Sequence, residues 1–147
     1  MFHNILVPVD FTLKNEAALK TALDLARRAE GVDQVPAPVK VTLIHVIETI
    51  EHVPFEELAD FYRGLETRSA AKLYGMEERF KAAGVPVYHE IVYGKRAETV
   101  VRHAEERAVD LIVLSSHQVD RENAASDIGT LSYRIAIVAR CPVLLVK

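Results

Sequence analysis

Cysteine is nearly absent from this 147-residue chain: Cys141 stands alone, and a lone thiol closes no intramolecular disulfide. That excludes a small secreted scaffold held together by disulfides. The N-terminus also lacks the charged-then-apolar layout of a secretory leader, so a reducing cytoplasm is the expected setting. Cys141 runs directly into Pro142 and an apolar segment, which suits a buried small hydrophobe and gives it no catalytic role. No cysteine–histidine cluster has the spacing of metal ligands, and no metal site is expected. Long hydrophobic runs are missing too, so no membrane span is expected. Positive charge is not in excess, with 18 basic residues against 21 acidic ones and a net charge of −3. No basic run is interleaved with aromatics, and nucleic acid is not an expected partner. Neither an internal repeat nor a low-complexity tract is present. What remains is half apolar and 27% charged, enough to bury one core in a single domain over residues 1–147.

The apolar pattern alternates between two periods along the chain. Residues 5–9 form a short run that stops at Asp10, which reads as a strand buried on both faces. Thr12 is the expected N-cap of a helix whose apolar positions Ala18, Ala22, Leu25, Ala26 and Ala29 recur at helical spacing, with Gly31 ending it. After a loop over 32–39, residues 41–47 supply a second strand. A long helical pattern over 54–83 follows, with Leu58, Tyr62, Leu65, Ser69, Leu73, Met76 and Phe80 on one stripe. That stripe is read as serving the core and not a partner. Gly84 and Pro86 break the helix, and a third strand covers 87–92. Gly94 makes the next turn, and Ala97, Val100, Val101, Ala104 and Ala108 mark another helix. A fourth strand over 111–114, a helix over 131–139 and a fifth strand over 142–146 complete the series.

Strands alternating with helices imply a parallel α/β sheet, because parallel neighbours need crossover connections. Ligands of such sheets bind beyond the carboxyl ends of the strands, where the strand order reverses. That rule selects Asp10, the residues after His45, Gly94 and the loop after Leu114.

The segments VPVDFT, LIHVIE, VYGKRAETVV, DLIVLSSH with a later GT, and CPVLLVK lie at these places in order, and together they resemble the universal stress protein family. The resemblance implies a single-domain Rossmann-like three-layer fold with a five-stranded parallel sheet of order 3-2-1-4-5. It also implies a homodimer joined along the last strand, through Val143, Leu144, Leu145 and Val146. Nucleotide-binding members carry a signature G-x2-G-x9-G-[ST] after the fourth strand, whose amides hold phosphates at a helix N-terminus. Carried over, the nucleotide residues are Pro8, Val9, Asp10 and Thr12 at the first strand end, Val46 beside adenine, and Gly94 at the turn. The phosphate loop would be Ser115, Ser116, His117, Gln118, Gly129 and Thr130. Two glycines of the signature are replaced, by Ser115 and Gln118, and ten residues separate Gln118 from Gly129 where the signature has nine. Asp120, Glu122 and Asp127 face a single Arg121 in that stretch, a field that opposes a triphosphate.

The expected function is therefore a stress-response or regulatory binding module, non-catalytic, with a degenerate nucleotide loop and an unidentified client protein. The alternative is a member that binds ATP or AMP, with magnesium, and hydrolyses ATP slowly; serine hydroxyls can donate to phosphate. Single residues divide in the same way. Asp10 suits a ribose, a phosphate-bound metal ion, or the capping of the turn that follows it. His45, inside an apolar strand, reads as a satisfied histidine. His117 has no nucleophile and orienting carboxylate arranged with it, so no hydrolytic triad is expected. Lys95 and Arg96 either reach a phosphate or remain solvated beside a surface turn. Ser126 or Asp127 is placed to cap the following helix and occupy amides a phosphate would use.

Overall fold

Five short apolar runs become five parallel strands in the computed structural model, which describes residues 2–28, 38–116 and 130–147. They are β1 (Asn4–Pro8), β2 (Lys40–Ile47), β3 (Val87–Tyr93), β4 (Leu111–Ser115) and β5 (Val143–Val146), in the order β3-β2-β1-β4-β5. The helices are α1 (Asn15–Arg28), α2 (Ala59–Ala82, entered through a 3-10 turn at Phe55–Leu58), α3 (Arg96–Glu106) and α4 (Leu131–Val138). The expected order and the alternation of strand and helix are both present.

Because successive strand residues point to opposite faces, each buried strand feeds two cores. Ile5, Val7, Leu43 and Val113 pack with Leu19 of α1 and Leu73 and Phe80 of α2. Leu6, Ile44, Ile112 and Leu114 pack on the other face with Val100 and Ala104 of α3 and Ile135 of α4. The sheet is thus the middle of three layers, as a continuous apolar strand requires. From β1 the chain builds outward through β2 to β3, then returns to place β4 on β1's other side. The reversal point lies between β1 and β4. No helix among the described residues is long and apolar enough to cross a membrane.

Several expectations need correction. Thr12 is not the N-cap of α1, which begins at Asn15; Thr12 sits in a turn, its carbonyl accepting from the Asn15 amide at 3.1 Å. Ala108 is not on the apolar stripe of α3. It lies past the helix end, exposed, with φ 51°, while Val109 donates its amide back to Ala104 at 2.9 Å, a left-handed exit that usually falls to glycine. Ala29 and Gly31 lie outside the described residues. On α2, Tyr62, Ser69, Leu73 and Phe80 are buried as the stripe predicts, but Glu77 is buried with them. Its carboxylate is held by Lys81 at 3.0 Å and by His89 of β3. Cys141 is half-buried against the second core, and burial pushes its thiol pKa up, away from reactivity.

Candidate functional site

Where β1 ends, the chain must leave the sheet without orphaning its amides. Val9 stays buried and donates to the Ile44 carbonyl at 2.9 Å, and Asp10 then begins the turn. The Asp10 carboxylate accepts from the Thr12 amide at 3.0 Å and the Thr12 hydroxyl at 2.7 Å, so its capping role is realised. Phe11 takes a left-handed φ of 65°, costly for a bulky residue. Asn15 holds it there: its Oδ1 accepts from the amides of both Asp10 and Phe11 at 2.9 Å. The same carboxamide donates through Nδ2 to Ser115 Oγ at 2.9 Å. Asn15 is 3% exposed, and it joins the carboxyl ends of β1 and β4 across the reversal point.

A cleft of about 180 Å³ opens there. Ile44, Val46, Val100, Leu114 and Leu131 give it an apolar floor, while Asp10, Ser115, Ser116, Thr130 and Ser132 supply polar groups. Lys14 and Arg96 are the cations among its described lining residues. Burial works against the Asp10 carboxylate, but the Thr12 hydrogen bonds and the charge of Arg96 prevail and hold its pKa below the usual value. Beneath the start of α4, Ser132 Oγ donates to Ser116 Oγ at 3.3 Å, and Thr130 Oγ1 lies 3.4 Å from Ser132 Oγ. Lys147 Nζ is 3.4 Å from Ser116 Oγ and donates to the Tyr133 hydroxyl at 2.8 Å.

His45 is a satisfied histidine, as expected. Its Nδ1 lies 2.8 Å from the Val9 carbonyl, so that nitrogen carries the proton. Its ring packs on Phe11 with centroids 4.3 Å apart. Burial first, with the charge of Arg96, lowers the imidazole pKa against the opposing hydrogen bond.

Of the residues expected at the site, Pro8, Val9, Asp10, Val46, Ser115, Ser116 and Thr130 come together around the cleft. Thr12 does not line it and acts only by holding Asp10. Gly94 borders a neighbouring cavity, whose lining shares Arg96 and Leu131 with the cleft. It has φ 148°, and a Cβ there would sit 2.5 Å from Thr99 Oγ1, so the turn presses directly on α3. Arg96 reaches the cleft, whereas Lys95 lines only the neighbouring cavity. His117, Gln118 and Gly129 lie outside the described residues, as do Ser126 and Asp127. Sequence reasoning missed Asn15, Lys14 and Ser132. The one available signal was an asparagine five positions after an aspartate at a strand end. Among the described residues no group of three or more histidine, cysteine, aspartate or glutamate side chains is arranged to hold a metal ion.

The model of the universal stress protein family matches residues 1–147. The chain belongs to that family. It is 26% identical to the universal stress protein YxiE of Bacillus subtilis (strain 168), with all of both chains covered. Among solved structures, the hypothetical protein MJ0577 is 28% identical, with a TM-score of 0.79 and coverage of 100% of this chain and 96% of that one. The fold is shared with a universal stress protein solved in complex with cAMP, at 19% identity, TM-score 0.73 and coverage of 99% and 97%. It is shared also with one from Archaeoglobus fulgidus in complex with dAMP, at 17% identity, TM-score 0.66 and coverage of 99% and 98%. In this universal stress protein the sheet order and the cleft at the β1/β4 reversal accord with that membership, and Ser115 is a lining residue of the cleft.

Proposed function

We propose that this universal stress protein is a non-catalytic regulatory binding module whose cleft takes an adenine mononucleotide and holds ATP only weakly. The observation that carries this is the composition of the cleft: an apolar floor beside a cluster of hydroxyls, at the reversal point of a parallel sheet. A base suits the floor of Ile44, Val46, Val100 and Leu131. Asp10, kept ionised, accepts hydrogen bonds only and suits ribose hydroxyls. The hydroxyls of Ser115, Ser116, Thr130 and Ser132 suit the oxygens of one phosphate. The ligands in the two complexes named above, cAMP and dAMP, each carry a single phosphate.

A triphosphate is disfavoured by the two replaced glycines and the longer spacing to Gly129. The Asp10 carboxylate holds the Thr12 turn and the His45 Nδ1 proton goes to the Val9 carbonyl, structural roles that suit a binding module. The module works as a homodimer along β5 and signals its occupancy to a client protein.

Calorimetric titration with ATP, ADP and AMP, with and without magnesium, tests the reading. AMP binds more tightly than ATP, and the ATP dissociation constant exceeds about 100 μM, or roughly −5.5 kcal/mol. Low-micromolar, magnesium-dependent ATP binding overturns the ligand assignment, and steady release of phosphate from ATP overturns the non-catalytic one.

A further inference from the structure

The buried amide of Asn15 does more than hold a turn. Its oxygen is saturated by the amides of Asp10 and Phe11, which fixes the orientation of the carboxamide. The NH2 group is thereby aimed at Ser115, where it donates to Oγ at 2.9 Å. With a lone pair of Oγ engaged, the Ser115 hydroxyl has its own proton left to give. No acceptor for that proton is recorded among the described residues, and Ser115 lines the cleft. An oriented donor of this kind selects an acceptor-only group such as a phosphate oxygen.

We infer that Ser115, oriented by the buried Asn15, is the residue by which the cleft tells a nucleoside monophosphate from a nucleoside. The inference rests on the mononucleotide reading above and assigns phosphate recognition within it. Ser115 stands at a position where the family signature has glycine, so its side chain substitutes for a backbone approach that glycine would permit. Asn15 is the positioning residue. It touches no ligand in this scheme, and its effect passes wholly through the Ser115 hydroxyl.

The test measures AMP and adenosine binding to the full chain by calorimetry, with a thermal melt of each variant. The wild type binds AMP more tightly than adenosine. Ser115→Ala weakens AMP binding by about tenfold to a hundredfold, the range for a hydrogen bond to a charged group, and leaves adenosine within about twofold. Ser115→Thr, which keeps the hydroxyl, retains most of the AMP affinity. Asn15→Asp preserves the oxygen that the Asp10 and Phe11 amides need, but its second oxygen takes the Ser115 proton and reverses the relay. AMP selectivity is then lost, and the loss is smaller when Asn15→Asp is made on Ser115→Ala than on the wild type, the mark of two residues acting as one. A purely structural role for Asn15 would lower both ligands together. If the wild type binds AMP while Ser115→Ala or Ser115→Gly binds it equally well or better, this inference is overturned and the mononucleotide reading stands. If the wild type binds neither AMP nor adenosine, the mononucleotide reading falls and takes the inference with it.

Discussion

Replacing Gly94 by alanine offers a direct measure of how tightly the turn after β3 is built. The backbone there has φ 148°, and an added Cβ would lie 2.5 Å from Thr99 Oγ1. Thr99 is 2% exposed, so its side chain has no room to swing away, and its amide is tied to the Lys95 carbonyl at 2.9 Å. Gly94 itself donates to the Ile47 carbonyl at 3.1 Å, which prevents the turn from retreating without breaking contact with β2. Two costs add. Holding an L residue in that backbone region costs about 1–3 kcal/mol, and overpacking a filled site costs about 1–3 kcal/mol more. The sum is about 2–6 kcal/mol, and at roughly 2–4 °C per kcal/mol for a domain of this size the melting temperature falls by about 4–24 °C. Circular dichroism melts with urea titrations measure it. Thr99→Ala combined with Gly94→Ala removes the collision and leaves the backbone strain, so the double variant recovers about half of the loss. A loss under about 0.5 kcal/mol in the single variant, or no recovery in the double, would refute this account of the turn.

Three further predictions address other parts of the molecule. Along the β5 edge, Leu144 is 38% exposed and the adjoining α4 residues Ile137 and Val138 are 74% and 63% exposed, while Leu145 packs into the second core. Light scattering should therefore report a dimer that Leu144→Lys converts to monomer, and a wild-type monomer at micromolar concentration would end the β5 proposal. His45 and His103 both have pKa values lowered from 6.5, burial being the largest cause in each. Each binds fewer protons folded than unfolded below that value, so their contribution is complete above about pH 6.5 and is lost as pH falls through their folded pKa values. Urea stability should fall between pH 7 and 5, less steeply in His45→Asn, and an unchanged slope would contradict the assignment. Glu77→Ala strips Lys81 and His89 of their shared buried acceptor and should cost about 1–3 kcal/mol in urea; a change under 0.5 kcal/mol would show the cluster to be idle.

Much of the site's outline can be read from the sequence, because a residue such as Asp10 or Val46 is placed by the end of its own strand. The residues that complete the site are placed by partners far along the chain. Asn15 meets Ser115 across 100 positions, and Ser132 meets Ser116 only because α4 packs over β4. No periodicity records such pairings. Lys14 and Asn15 also fall in a stretch where Thr12 looked like the better helix start, since a hydroxyl before an apolar pattern is the usual cap, whereas the Thr12 hydroxyl goes to Asp10 in the turn.

The same division runs through the packing. That Leu6 and Val7 face opposite layers, or that Tyr62, Ser69, Leu73 and Phe80 share one stripe, follows from two residues per strand repeat and 3.6 per helical turn, and both are present as read. Which of Leu144 and Leu145 meets the core depends on where α4 lies over β5, and that a glycine is needed at position 94 depends on the approach of Thr99. By itself the sequence determined the elements, their order and the family, because backbone geometry and burial act within each element and leave a period behind. Only the tertiary structure decided the cleft's inner wall, the buried Glu77 and the join of β1 to β4, because each depends on side chains that chain order separates and packing brings within hydrogen-bonding distance.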